Sequence, residues 1–323
     1  AAGALPETYG VDDIPLIVQD RRFKVDGSSE PYHNFVRFTG MLGDTIVVNG
    51  TVGPVFEAST ELVRFRVLNA SPARIYAFAF DDRRVFHQVA SDVALLQEPV
   101  SMTRLQLSPG ERAEIVVSMS PGEDVVLRSE SPDLGANFVA ARLSGGDDSF
   151  DVLRIVAADT LQPSSPLPAT LPGAPPVQPL PTDTEPRSTF ALGDFTINGL
   201  TMDHYRIDAY VRAGSSEVWE VRNGSMQPHN WHVHGMRFRV LPSGDDPLPV
   251  HHQGWKDTVY IPPGGRGRLA IDFVDFADAR NPFMFLCLQL YHEDIVMMGQ
   301  FILTDGAPPA HSDETDDSHE EGH

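Results

Sequence analysis

The chain has a single cysteine, Cys287, among its 323 residues. One cysteine excludes a disulfide within the chain and leaves its thiol available as a metal ligand. Basic residues are also scarce, because 24 Lys and Arg stand against 45 Asp and Glu, which gives a formal net charge of -21. This charge would repel the phosphates of nucleic acid and argues against that class of partner. Part of the acidic excess lies in residues 307–323, which we expect to form a disordered, histidine-containing tail.

Long apolar runs are absent as well. No stretch approaches the roughly 18 to 20 consecutive apolar residues that span a bilayer, so no membrane span is predicted. The first residues show neither the basic region nor the apolar segment of a signal peptide. A chain that had already been processed would look the same, and the sequence therefore leaves the compartment open.

Helical periodicity is scarce, whereas short β-branched segments recur between turn signals. In residues 62–68, for example, apolar side chains alternate with arginines, as in a strand with one face toward water. The length suits two domains. A proline-rich stretch at 161–188 divides residues 1–160 from residues 189–306. The sequence thus predicts an all-β protein made of two β-sandwich domains joined by a stiff linker.

Chemistry-bearing residues concentrate in the second half. His33 and His87 of the first half stand alone, and we interpret them as ordinary histidines. In the second half, Cys287 ends an apolar run, and His292 and Met297 follow at intervals of five. A thiolate with an imidazole and a thioether suits a blue copper site, which needs two histidines, a cysteine and a weak axial methionine.

The missing histidine comes from a second motif, His229-Asn-Trp-His-Val-His234. Together with Leu286-Cys-Leu-Gln-Leu-Tyr-His-Glu-Asp-Ile-Val-Met297, it resembles the third domain of the multicopper oxidases, a group that includes laccases and bacterial copper-efflux oxidases. The likeness covers the second and third cupredoxin domains of that family. It implies two Greek-key cupredoxin sandwiches, of which the first carries no copper ligands.

Position by position, the resemblance implies a type 1 copper bound by His229, Cys287, His292 and Met297. Met298 is an alternative axial ligand, although it lies one residue off the expected spacing. Trp231, inside the first motif, is expected to point into the core. The cofactor that follows from this reading is copper.

The departures from the family pattern are equally informative. Leu286 and Leu288 flank the cysteine where the family has histidines that bind the type 3 copper pair. The family's first domain, with its two His-x-His pairs, is not within this chain, so the chain alone is not expected to reduce oxygen. His232 and His234 then occupy positions of the type 2 and type 3 ligands, either as a remnant or as ligands of a lone metal ion. Ser225 and Gln227 replace an acid and a thioether of the copper-efflux members, which argues against cuprous oxidase activity.

Three functional hypotheses remain. The first is a one-electron copper protein whose potential is raised by its apolar surroundings. The second is a multicopper oxidase without its first domain, and the third is a copper-free scaffold like the cell-division members of the family. The redox partner is not identified; a separate first cupredoxin domain or a homo-oligomer would be a partner. The resemblance implies a periplasmic or extracellular location.

Overall fold

The structure is a computed structural model that describes residues 4–31, 39–176, 185–243, 248–274, 277–278 and 280–306. His33 and the predicted tail at 307–323 lie outside these described residues. Strands dominate, and the two α-helices found in the described part of the chain are 6 and 5 residues long. No helix among the described residues is long and apolar enough to cross a membrane.

The first half of the chain folds into short strands and one helix. Their bounds are β1 (Asp13–Arg21), β2 (Thr45–Val48), β3 (Thr51–Val52), β4 (Val55–Thr60), β5 (Leu62–Asn69), β6 (Tyr76–Phe80), β7 (Phe86–Ala90), β8 (Leu95–Met102), β9 (Leu105–Leu107), β10 (Arg112–Ser118), β11 (Asp124–Glu130), α1 (Phe138–Leu143) and β12 (Phe150–Gln162).

The described part of the second half of the chain also folds into short strands, with one α-helix and one 3-10 helix. Its elements are β13 (Ser188–Leu192), β14 (Ala209–Arg212), β15 (Ser216–Asn223), β16 (His229–Val233), β17 (Arg237–Leu241), a 3-10 helix (Val250–His252), β18 (Thr258–Ile261), β19 (Arg266–Asp272), β20 (Phe283–Leu286), α2 (Leu290–Asp294) and β21 (Met298–Thr304).

The described strands form two pairs of sheets. In the first half the orders are β3-β2-β1-β5-β10-β7-β8 and β4-β12-β11-β6-β9. In the second half they are β13-β15-β19-β17 and β14-β21-β20-β16-β18. Each pair encloses its own apolar core, because the strands alternate between buried and outward side chains. On β5, Val63, Phe65 and Val67 are buried, whereas Arg64 and Arg66 point outward and donate to Asp13. The predicted all-β fold of two sandwiches is confirmed.

The proline-rich stretch lies between β12 and β13. It does not run free of the first sandwich in its described part, because Leu171 is buried against Val89 and Leu96. The backbone N–H of Leu171 also donates to the carbonyl of Gln97 at 2.8 Å. Residues 177–184 lie outside the described ranges. The domain bounds 1–160, 161–188 and 189–306 remain our proposal.

The two sandwiches meet across a buried ionic cluster. The Lys256 ammonium lies 3.0 Å from Asp92 and 3.1 Å from Glu111, and all three side chains are at most 1% exposed. Beside it, Arg112 of the first half makes a two-pronged ion pair with Asp257 at 2.6 and 2.7 Å. Because charges removed from water are costly unless they are paired, this cluster favours one fixed arrangement of the two halves.

We expect Lys256→Met to lower the free energy of unfolding by about 3–5 kcal/mol, because it leaves the carboxylates of Asp92 and Glu111 buried without their cation. Urea unfolding followed by circular dichroism measures this difference. Arg128→Met is the matched control, since Arg128 pairs with Asp151 at the surface, where both side chains are well exposed. It should leave stability close to that of the parent chain. Equal losses in the two variants would contradict this account of the junction.

Candidate metal centre

His229 is placed by a turn and by the first position of β16. The Asn223 side chain closes the turn, because its amide donates to the carbonyls of Gln227 and Ile261 at 2.7 and 3.1 Å. Ser225 within the turn brings its hydroxyl oxygen to 3.1 Å from Nε2 of His229. If Nε2 carries the proton and donates it to Ser225, Nδ1 keeps a lone pair for a metal ion. Ser225, which the sequence marked only as a departure from the family pattern, therefore orients the first candidate ligand.

Cys287 and His292 are placed by the end of β20 and by α2. Cys287 directly follows the last residue of β20, and His292 lies within the short helix α2. The chain then closes on itself, since the Met297 N–H donates to the His292 carbonyl at 2.9 Å and the Cys287 N–H to the Met297 carbonyl at 3.3 Å. Val296 adopts a positive φ of 65°, which is uncommon for a β-branched residue and makes this tight return possible. Met297 is fully buried just before β21.

Three donor atoms converge from these elements. Nδ1 of His229 lies 3.1 Å from Nδ1 of His292, and the Cys287 sulfur lies 3.7 and 3.5 Å from these two nitrogens. Bonds of about 2.0 Å to nitrogen and about 2.3 Å to sulfur are typical of first-row metal sites. A trigonal arrangement with such bonds needs edges of about 3.5 Å between nitrogens and about 3.7 Å between nitrogen and sulfur. The donor atoms of His229, Cys287 and His292 therefore fit a metal ion in trigonal coordination.

Burial sets the protonation of this group. Cys287, His229 and His292 are at most 1% exposed. Burial raises the pKa of the Cys287 thiol to about 12, although the backbone N–H groups of Asn230 and Gln289 favour the thiolate. Burial, and then the neighbouring His292, lower the pKa of His229 to about 3. The histidine is thus neutral at ordinary pH, whereas the thiol must lose a proton to a binding metal.

An aromatic shell surrounds the group. Phe195 packs edge-on against the His292 ring with centroids 5.3 Å apart. On the core side, Trp231 stacks on Phe285 at 4.9 Å, and Trp231 is fully buried as predicted. These rings keep water from the three donor atoms and give the site an apolar environment, which is one of the means by which proteins tune a metal's potential.

Strand alternation places the other candidate residues on the opposite face of the same sheet. His229, Trp231 and Val233 face the sandwich core, so Asn230 and His232 face the other way. On the neighbouring strand Leu286 pairs with His232. Leu288 lies against Gly110 of the first half so closely that a Cβ there would come within 2.5 Å of its Cδ1 atom. Leu286 therefore places hydrocarbon beside His232, and Leu288 packs against the first half of the chain.

His232 and His234 lie near each other, with ring centroids 5.6 Å apart, but do not join the metal group. Nδ1 of His232 bonds to the Asp257 carbonyl at 2.9 Å and is 3.1 Å from the Thr258 hydroxyl, whereas His234 is exposed. Across the described residues, His229, Cys287 and His292 are the one set of three potential ligands that converges. Whether His232 and His234 bind a metal stays a prediction.

Comparisons with known proteins show which family this chain resembles. A family model described as multicopper oxidase matches residues 171–307. A solved laccase-like multi-copper oxidase CueO from Ochrobactrum sp. is 31% identical, with a TM-score of 0.79 over 94% of this chain and 69% of that one. The chain belongs to the multicopper oxidase family. McoA, a multicopper oxidase of Aquifex aeolicus, gives the same TM-score at 28% identity, over 93% of this chain and 67% of its own.

Similar family members also carry another name. The cell division proteins FtsP of Edwardsiella tarda and Escherichia coli are 36% and 35% identical to this chain over 93% of its length. The chain spans 63% of the length of each of these relatives. Membership of the multicopper oxidases therefore leaves function to be argued from the site.

The sequence reading missed Asn230, which connects the metal group to the first sandwich. This buried carboxamide accepts from the Leu288 N–H and donates to the Pro109 carbonyl, each at 2.6 Å. The sequence around Asn230 does not indicate this role, because its partner Pro109 lies 121 residues away in the chain.

We expect Asn230→Ala to cost about 1–3 kcal/mol of stability, because it leaves the Leu288 N–H and the Pro109 carbonyl without their buried partner. Chemical unfolding measures the change. In Asn281→Ala, the matched control, an exposed amide loses its bond to Asp278, and stability should change by no more than about 0.5 kcal/mol. A similar loss in both variants would show that the bridge from Asn230 to the first half is unimportant.

Proposed function

We propose that this chain is a copper protein that holds a single type 1 copper at His229, Cys287 and His292, with Met297 as the axial ligand. The observation that carries the proposal is the triangle of donor atoms, with edges of 3.1, 3.5 and 3.7 Å, in a fully buried setting. A thiolate and two imidazoles are the equatorial ligands of blue copper sites, and a thioether is the usual weak axial one. Bound copper would supply one-electron transfer by alternating between Cu(II) and Cu(I).

The protein's own groups prepare this site. Ser225 lies 3.1 Å from Nε2 of His229, and with the proton on Nε2 the Nδ1 lone pair would face the sulfur. Backbone N–H groups of Asn230 and Gln289 stabilise the negative charge of the Cys287 thiolate. The aromatic shell excludes water and disfavours the more highly charged oxidation state, so we expect a potential above that of ordinary laccase sites.

Oxygen reduction is not part of the proposal. In the family, histidines beside the cysteine bind two further copper ions and carry electrons to them. Here Leu286 and Leu288 hold those positions and offer no ligand atom.

The copper-loaded protein should bind one copper per chain and show the intense blue thiolate-to-copper band. Cys287→Ser should abolish the band, because serine supplies no thiolate. Met297→Leu should retain a blue band with an altered reduction potential, since the axial ligand tunes the potential. Optical titration and a redox titration measure the two quantities.

Met298→Leu is the matched control for the axial position, since Met298 pairs with Leu286 and therefore lies on the sheet face opposite the three donor atoms. It should leave both the band and the potential unchanged. A protein that folds, takes up copper and shows no blue band would contradict the type 1 assignment.

We expect the copper-loaded chain to consume no more oxygen with a phenolic or cuprous donor than the Cys287→Ser variant does. The reason is that Leu286 and Leu288 leave the type 3 pair without two of its ligands. An oxygen electrode gives the rate directly. Sustained uptake that depends on Cys287 would favour the alternative of a multicopper oxidase that functions with the remaining ligands supplied from elsewhere.

A second candidate function is a role in cell division as a scaffold or interaction protein. It is favoured by the name of the FtsP relatives, which are 35–36% identical over 93% of the chain. One experiment separates the two functions: a scaffold tolerates Cys287→Ser without loss of its cellular role, whereas a copper protein does not.

We further propose a periplasmic or extracellular location, as the family resemblance implies. Cell fractionation tests this location.

A further inference from the structure

A cleft with a volume of about 760 Å³ opens where the two sandwiches meet. The first sandwich contributes Arg104, Gln106 and Asp133 to its lining, and the second contributes residues of β17, β18, β19 and the 3-10 helix. None of the four proposed copper ligands lines it. Its volume falls in the range of about 300–1,000 Å³ that is usual for small-molecule sites. The cleft is therefore a candidate site separate from the metal centre.

The second sandwich supplies an apolar wall. Leu241 and Val259 line the cleft as buried side chains, and Leu248 and Pro262 are half-buried beside them. The Tyr260 ring also lines the cleft, and its hydroxyl donates a hydrogen bond to the Leu134 carbonyl at 2.8 Å. A wall of this kind suits the hydrocarbon or ring body of a ligand.

Two guanidinium groups give the cleft a local positive charge within an acidic chain. Nη2 of Arg104 donates to the Ser131 carbonyl at 2.5 Å, and its Nε is buried with no hydrogen-bond partner among the described residues. Arg266 is held in place by its Nε, which donates to the Ser243 hydroxyl at 2.6 Å. The carboxylate among the lining residues, Asp133, already accepts from the Gly135 N–H at 3.1 Å. Guanidinium groups recognise carboxylates, phosphates and sulfonates through paired N–H donors.

Two imidazoles add uncharged donors. His251 and His252 line the cleft with ring centroids 4.3 Å apart. Burial lowers the pKa of His251 to about 4 and that of His252 well below its usual range, so both rings are neutral at pH 7. Neutral imidazole offers one N–H and one acceptor. The positive charge in the cleft therefore rests on the two arginines.

We propose that this cleft binds a small organic anion, with its charged head at Arg104 and Arg266 and its apolar body against Leu241, Val259 and Leu248. Since the chain as a whole carries a formal charge of -21, an anion is attracted here only by these local cations. Because both sandwiches line the cleft, the ligand would contact both halves of the protein. The site does not depend on copper.

The test uses 8-anilinonaphthalene-1-sulfonate as the probe, with metal-free protein in a fluorescence and calorimetric titration. We expect one probe per chain. Arg104→Gln combined with Arg266→Gln should weaken binding at least tenfold, since both cations are lost. The uncharged probe N-phenyl-1-naphthylamine has the same ring system without the sulfonate, and its affinity should change less than twofold.

Arg83→Gln is the control for loss of a positive charge, because Arg83 is 80% exposed and does not line the cleft. It should bind both probes like the parent chain. Leu248→Trp keeps every arginine, fills the cleft and should weaken both probes, which provides a test even if the double arginine variant fails to fold. The proposal is overturned if the sulfonate probe binds without fixed stoichiometry, if Leu248→Trp affects neither probe, or if a folded double arginine variant binds the sulfonate probe normally.

Discussion

The two-residue alternation of β16 and β20 is the constraint on which this half of the molecule depends. Because successive side chains on a strand point to opposite faces, His229 and Cys287 turn toward the sandwich core, and His232 and Leu286 turn away from it. One sheet thus separates a metal group from a second surface that packs toward the first sandwich. A shift of either strand by one residue would exchange these surfaces and separate the three donor atoms.

This separation explains how the three donor atoms can converge on one face of the sheet while the other face carries leucines that bind no metal. Substituting leucine at 286 and 288 changes only the outward face, where Leu286 lies opposite His232 and Leu288 packs on Gly110. The inward face, with Cys287 among Phe285 and Trp231, has no need to change in response. The site we propose for copper and the surface that would have received its electrons are therefore independent in packing, although they lie on the same two strands.

The spacing of Cys287, His292 and Met297 pointed to a metal site, and the family resemblance added His229; each motif lies within one strand or one short return of the chain. His229 and Cys287 could be named from two segments, and the alternation within 62–68 indicated a strand with a buried face. The junction could not be predicted in the same way. Lys256 lies more than 140 residues from both Asp92 and Glu111 in the chain. No sequence periodicity connects these segments. The helical turn α2 was also missed, since five residues hold too little pattern to distinguish a helix from a loop.

Burying three polar donor groups in an apolar core lowers the stability of the folded chain, and this loss helps to decide between a copper protein and a copper-free scaffold. Two imidazole nitrogens 3.1 Å apart can share only one proton, and the adjacent thiol is a weak hydrogen-bonding group. Buried polar groups of this kind reduce stability unless a partner satisfies them, and apolar replacements of similar volume often cost nothing. A scaffold gains nothing from this arrangement, whereas a metal ion satisfies all three donor atoms at once and adds its binding energy to folding. The presence of His229, Cys287 and His292 in a core of phenylalanine and tryptophan therefore favours the proposed metal site over a copper-free scaffold.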